Sequence, residues 1–475
     1  VIRLAPANEA CASHPRGFPL DDSHIESEEC DGGQWNRRKR FRRKLALEDR
    51  GRRSDSGDRA RGAVAHWPIE PGFSLMKNTT GDPQLDIVGQ RWPDVTLEEA
   101  SRVLSLLLHP LHAQRVLSHS GRPTAAGSMV RTDQGDVFIK RYSRSVREAS
   151  SVLPYHHFVR HLASRGIATP VFLEFGLDRG HESGHGLDAN AVPETCCTEG
   201  CVQTQETTLS TSDALYEVCG RAPGEDRYRE ALSWDPPHSV PEAEALGEFM
   251  ARMAQASQGF DEAAAAPNFF QDRFGLFAAS DFDQAMQSWL AERPLVVRYL
   301  HDTRRNLMRD LRMHRRYVER IAQPYSRLPE RWTHGDPHIS NFLWRGQAPA
   351  SVIDFGLAHR NTAIFDLVEA LERNTIEFVV IMNGDDEAYH GDLATAILRG
   401  YARVLPLCAA DLELIADMLP VAQSEAALNW IGYYLVGLRP QDAAWCYETS
   451  LLAHTAWFER ASGQRYRDAI RNATS

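Results

Sequence analysis

The sequence predicts an α+β chain in two parts, a small antiparallel sheet followed by a mainly helical half. Three observations predict it. An early hairpin pattern has Ser128–Thr132 and Val137–Tyr142 reading as strands on either side of Asp133-Gln134-Gly135-Asp136. Apolar residues at helical spacing dominate from Glu242 onward, beginning with Leu246, Phe249, Met250 and Met253. Two short apolar runs in that half, Phe342-Leu343-Trp344 and Val352-Ile353, read as buried strands, each next to a polar residue, Asn341 and Asp354.

Composition narrows the class. The 475 residues leave room for two or three units at about 150 residues each. A net charge of -11 does not suit a uniformly nucleic-acid-binding chain, so no nucleic-acid partner is expected. Val1–Gly17 lacks the apolar core of a secretory signal, and the longest apolar run, Val103–Leu111, is broken by His109 and Pro110. No membrane partner is expected, the location expected is cytoplasmic, and the eight cysteines read as reduced thiols.

Residues 1–92 read as a disordered arm, rich in proline, glycine and charge, with a basic run at Arg37–Lys44. Because the chain opens on Val1 rather than Met, part of this arm reads as translation from upstream of a natural start. A first lobe is expected over 93–219 and a helical lobe over 220–475. Leu97–Leu117 carries a helical pattern. Gly121–Gly127 stands where a loop would cover phosphates, with backbone N–H groups near Gly127 and Ser128 as donors. Lys140 ends the strand Val-Phe-Ile-Lys. His156–Gly166 reads as a helix, with Pro154 arguing against an earlier start, and Thr169–Phe175 as a strand. Residues 178–212 read as a flexible insertion holding Cys196, Cys197 and Cys201, with His181 or His185 as a fourth ligand if the cluster bound zinc. Ala214–Cys219 returns as a strand. A long helical pattern spans Asp302–Ile321 and stops at Pro324 and Pro329.

The chemistry concentrates in Thr333–Asp366. His334-Gly335-Asp336 is followed by Asn341, and an apolar strand then ends in Asp354-Phe355-Gly356. Each piece alone is weak: Asp336 would serve as a helix cap and Asp354 as a turn residue. In this order they match the carboxylate and amide set of a kinase. Asp336 would accept or orient the proton of an acceptor hydroxyl. Asn341 and Asp354 are hard oxygen donors suited to magnesium. Lys140 would grip the phosphates of ATP. A rival reading groups His334, Asp336 and His338 as the ligands of a metallohydrolase.

Gly335 stands where protein kinases carry arginine, and Pro337-His338 follow. With that change the stretch resembles the aminoglycoside phosphotransferase and choline kinase branch of the protein kinase-like fold. The resemblance is specific over Trp332–Asn374 and looser over His119–Trp457. It implies two lobes with ATP and magnesium between them, the backbone of Glu217 to Cys219 facing adenine, and His334 and Asp366 as supporting residues of the catalytic loop. It also implies a helix glutamate paired with Lys140. The aligned positions, Tyr155 and His156, are not acidic, and Glu148 is the nearest acid; a nucleotide-binding pseudokinase is therefore a second reading. Asp366 also opens a helix, where capping is its expected role. Only Leu357–Phe365 separates Gly356 from Asp366, and no Ala-Pro-Glu follows, which leaves no platform for a peptide and favours a small hydroxyl compound as acceptor. Glu369, Glu372, Glu377, Asp385, Asp386 and Glu387 suggest a cationic one, such as an amino sugar or amino alcohol.

Overall fold

Thr96 opens the fold by accepting from the backbone N–H of Glu99 at 3.1 Å, which caps helix α1 (Leu97–Ser105). The computed structural model describes residues 93–473 apart from 123–124, 145–146, 177–201, 232, 266–273 and 437–439, all within the unit Ser74–Ser475. The expected arm with its basic run, the cysteine cluster and His181 and His185 lie outside the described residues.

Helix α1 ends well short of the expected Leu117. Residues from Ala113 on are strand β1 (Ala113–Arg122), which pairs with β2 (Ala125–Thr132), and β2 with β3 (Gly135–Ser143). Strands β4 (Gln203–Gln205), β5 (Thr208–Ser210) and β6 (Ala214–Gly220) complete an antiparallel sheet in the order β1-β2-β3-β6-β5-β4. The end of the expected insertion is therefore a hairpin that widens the sheet. Thr169–Phe175 contributes isolated bridges, Phe172 to Cys219 and Phe175 to Leu107, rather than a full strand.

Period-2 alternation gives the sheet two apolar faces. Ala126, Val130, Val137, Ile139, Tyr216 and Val218 pack against α1. On that face Arg141 donates to both oxygens of Glu99, at 2.6 and 2.7 Å, and Tyr216 donates to the same carboxylate at 2.8 Å. The opposite face carries Ala125, Tyr142 and Leu215 and belongs to the main core. Helix α2 (Ala149–Ser164) covers it through Val152, Tyr155, Phe158, Val159 and Leu162. Pro154 lies inside α2 rather than ahead of it. The carbonyl it cannot pair belongs to Ser150, in the exposed first turn, so the helix passes through.

The chain leaves the sheet at Gly220 and is tied down at once. Glu225 and Trp344 exchange backbone hydrogen bonds of 2.8 Å, and Ser351 donates to Pro223 O at 2.6 Å. Gly224 turns at φ +119°, where an added Cβ would lie 2.8 Å from Leu343 Cβ. The helical half is organised by α3 (Val240–Ala256), capped by Ser239 as its pattern requires. The long pattern near Asp302–Ile321 is divided: Pro294–Asp302 and Leu307–Asp310 are separate helices, and α4 runs over Arg312–Tyr325. Beyond the site lie α5 (Ala363–Thr375) and α6 (Gly391–Ala402). Helices α3 and α6 touch backbone to backbone. A Cβ on Gly247 would lie 1.9 Å from Ile397 O, and one on Gly400 1.9 Å from Glu244 O, so only glycine fits at either crossing position.

Candidate active site

Two small ribbons hold the reactive stretch. Strand β7 (Glu330–Thr333) pairs with β10 (His359–Thr362), and β8 (Phe342–Arg345) with β9 (Ala348–Val352). Between β7 and β8 runs the segment with His334, Gly335, Asp336 and Asn341; between β9 and β10 lies Asp354-Phe355-Gly356. Gly335 turns at φ +78°, and a Cβ there would sit 2.3 Å from Leu357 O. An arginine at this position is excluded by both conformation and space.

Backbone and side-chain bonds join these segments into one body. Asn341 donates its amide to Asp336 O at 2.8 Å, and Ile353 N–H donates to Asn341 O at 2.8 Å. His334 Nε2 donates to Ile353 O at 2.9 Å, which makes Nδ1 the acceptor from Asp336 N–H at 3.2 Å. Both ring nitrogens of His334 are thereby used, so it has none left for a metal, and the His334-Asp336-His338 ligand set is set aside. No cluster of three or more histidine, cysteine or acidic residues suited to a metal occurs among the described residues. Asp366 accepts from Gly335 N–H at 2.9 Å and from His334 N–H at 3.2 Å. The cap of α5 is Thr362, which accepts from Phe365 N–H at 3.1 Å. The expected capping role of Asp366 is corrected: a turn further in, it holds the loop of Asp336. Burial pushes its carboxyl up.

Asp336 is partnered by a residue that sequence reasoning passed over. Arg373 Nη1 donates to its Oδ1 at 2.8 Å, and His338 Nε2 lies 3.5 Å from Oδ2. The guanidinium is fixed in turn by Ser233 O at 3.1 Å and by the ring of Trp234, 5.1 Å away. Burial works to raise the Asp336 carboxyl, but the guanidinium of Arg373 outweighs it and holds it below the ordinary carboxylate range. Burial pushes His338 down to about 4, so it is neutral. Arg373 sits two helical turns after Asp366 on α5, on the same face, a spacing that would have exposed it.

On the sheet side, Lys140 Nζ lies 2.7 Å from Asp354 Oδ1, although 214 positions separate them. Burial pulls the ammonium down, yet Asp354, with Tyr142 and Glu217, carries it above the ordinary lysine range. Asp354 takes up a left-handed conformation, φ 58° and ψ 65°, and accepts from Gly356 N–H. That turn directs the carboxylate at the sheet while Phe355 packs between Phe158 of α2 and His334. Asp354 keeps 49% of its side chain exposed, and the bond from the Asn341 amide to Asp336 O leaves Oδ1 of Asn341 for a ligand. A carboxylate and an amide oxygen are both hard donors of the kind that suits magnesium.

The expected contacts of five residues are corrected. Glu217 lies in the middle of β6 with ladder partners on both sides, Lys140 and Thr208, and Cys219 is paired with Phe138 and bridged to Phe172. Their backbone groups are spent in the sheet and do not face adenine. Gly127 and Ser128 are likewise inside β2, between β1 and β3, so they form no phosphate loop. The Ser128 hydroxyl turns to the α1 face and meets His119 Nδ1 at 3.0 Å, while a Cβ on Gly127 would collide with the Phe138 ring at 2.4 Å. The turn that joins β1 to β2, residues 123–124, lies outside the described residues. Glu148 is the N-terminal cap of α2, 64% exposed and 3.9 Å from Arg144, and does not reach Lys140.

Among solved structures, three are similar at low identity. Amicoumacin kinase hAmiN, in complex with AMP-PNP, Ca2+ and Ami, is 16% identical over 79% of this chain and 93% of its own, with a TM-score of 0.44. A microcompartment-associated aminopropanol kinase is 14% identical over 79% and 99%, with a TM-score of 0.44. Spectinomycin phosphotransferase APH(9)-Ia, in complex with ADP and spectinomycin, is 10% identical over 79% and 98%, with a TM-score of 0.43. No curated protein sequence matches. The family model described as the phosphotransferase enzyme family matches residues 126–407, a span that holds Lys140, Asp336, Asn341, Asp354, Asp366 and Arg373. The chain belongs to the phosphotransferase enzyme family.

Proposed function

We propose that the protein transfers the γ-phosphoryl group of ATP, with magnesium, to a hydroxyl of a small molecule. The observation that carries this reading is the meeting of Lys140 with Asp354 at 2.7 Å, beside a loop in which Asn341 is bonded to the backbone of Asp336. A phosphate-gripping cation, two oxygen donors and an acceptor-side carboxylate thus come together from both halves of the chain. Asn341 and Asp354 would hold the magnesium, whose charge offsets that of the phosphates when it is bound. Lys140 binds and orients the phosphates. Asp336 accepts a hydrogen bond from the acceptor hydroxyl through the oxygen that Arg373 leaves free, and holds it in line. Its depressed basicity suits orientation more than early proton removal, as a loose phosphoryl transition state requires.

The family membership supports a catalyst over a pseudokinase. So does the geometry, because Lys140 does not lack carboxylates. The acceptor is refined by the acidic residues beyond Asp366. Glu372 is buried against His454 at 3.2 Å, Glu377 meets His390 at 2.7 Å, Asp386 meets Arg460 at 2.6 Å, and Glu387 meets Arg465 at 2.5 Å. Asp386 and Glu387 are matched by arginines, Glu372 and Glu377 are hydrogen-bonded to histidines, and the charge in contact with Asp336 is the guanidinium of Arg373. This supports a polar hydroxyl compound as acceptor, with the amino sugars and amino alcohols expected from composition among the candidates. The test is ADP release with Mg-ATP across a panel of amino sugars, amino alcohols and neutral or acidic polyols, with Asp336→Asn as control. Stimulation by a hydroxyl compound, abolished in the control, is expected; phosphorylation of a generic protein substrate with no small acceptor would overturn the reading.

A further inference from the structure

Glu217 has no assigned work in the reading above, yet its surroundings are the most heavily built in the sheet. It is 6% exposed and lies directly opposite Lys140 in the β3–β6 ladder. Opposite residues share a face, with Cβ atoms roughly 4.5–5.5 Å apart. Three side chains donate to its carboxylate: Tyr155, His156 through Nε2 at 2.8 Å, and Tyr142 at 3.2 Å. His156 is itself set by Thr207 at 2.6 Å and stacked on Phe172, with ring centroids 3.6 Å apart. Two of the donors, Tyr155 and His156, come from α2, the helix on which a lysine-binding acid was sought and not found.

A buried carboxylate is costly unless a positive charge and hydrogen bonds compensate it. The donors supply the bonds, and Lys140, on the same face and directly across the ladder, supplies the charge. Lys140 therefore has two carboxylates at hand that differ in kind. Asp354 is half exposed and sits on a loop, where its oxygens are also the ones suited to a metal. Glu217 is fixed in a central strand.

We propose that Glu217 is the permanent counter-charge that positions Lys140 for the nucleotide phosphates, and that Tyr155 and His156 latch it to α2. The acid is thus moved from helix to strand, and the helix becomes the donor. Glu217 is a positioning residue that acts through Lys140, and the inference rests on the nucleotide-binding part of the phosphotransferase reading.

The experiment titrates a non-hydrolysable ATP analogue with magnesium into wild type, Glu217→Gln, Lys140→Ala and the double variant, with thermal melts alongside. Glutamine keeps an acceptor for Tyr155 and His156, and its amide N–H can donate to the Tyr142 hydroxyl, so Glu217→Gln should still fold. It should weaken analogue affinity by about tenfold, the loss of one charge-assisted contact. Lys140→Ala should lose at least as much, and the double variant should be no weaker than Lys140→Ala, because Glu217 has no route to the nucleotide but the lysine. Tyr155→Phe, which keeps the ring, should lose a few-fold in the same direction. Unchanged affinity in both Glu217→Gln and Tyr155→Phe, or full additivity in the double variant, overturns the inference and leaves the phosphotransferase reading standing. A wild type that binds no analogue overturns that reading and the inference with it.

Discussion

Arg373 Nη1 and Asp336 Oδ1 are 2.8 Å apart, so the carboxylate proposed to orient the acceptor hydroxyl lies under a fixed positive charge. Arg373 depresses the carboxyl, and the sign of the effect follows. A carboxylate with a lowered folded value stays charged, and contributes stability, above its unfolded pKa, and loses both as pH falls through the depressed value. Arg373→Met should move the acid limb of the kcat–pH profile to higher pH and lower kcat by roughly tenfold through lost positioning. An acid limb that stays in place would show that Arg373 does not control Asp336.

Asp336→Asn should separate binding from transfer. Asn341 bonds the backbone carbonyl of Asp336 and not its side chain, so the loop should survive. Nucleotide affinity is expected to stay within a few-fold, while kcat falls by about 10²-fold or more. Single-turnover kinetics beside analogue titration gives both numbers.

Asp354→Ala removes an oxygen donor and a partner of Lys140 together. Analogue binding in this variant should lose its dependence on magnesium. In wild type, chelation should weaken binding and added magnesium should restore it. Retained magnesium dependence in Asp354→Ala would move the metal away from this carboxylate.

Gly335→Ala tests the backbone that carries the site. At φ +78°, with Leu357 O 2.3 Å from the new Cβ, the substitution combines a disfavoured conformation with a clash. A loss of about 2–4 kcal/mol is expected from denaturant titration. A stability equal to wild type would mean that the loop tolerates a conformation other than the one seen.

The local chemistry of the reaction centre was legible because it is written in short range. Asp336, Asn341 and Asp354 lie within nineteen residues (336 to 354), and small apolar strands flank them. Their spacing alone implies a shared loop, and the hairpin that ends in Lys140 announced itself by alternation. Boundaries were less legible. Residues 113–117 satisfy a helical and a strand pattern alike until β2 offers a ladder partner, and Pro154 is tolerated because the carbonyl it strands is at an exposed helix start.

What stayed hidden was the charge partner that a residue finds when two distant segments meet. Glu217 reads in sequence as a residue whose backbone faces adenine, and only the register of β6 against β3 turns its side chain to the face of Lys140. The same pairing spends the backbone groups expected to reach adenine. Arg373 reads as one arginine among many on helices until α5 sets it over Asp336, and the acids after Asp366 read as a negative wall until His454, His390 and Arg460 are packed against them. Residue type and spacing decide which groups can do chemistry. Which charge each of them feels is decided by packing, because electrostatic partners are chosen by distance through space and not along the chain.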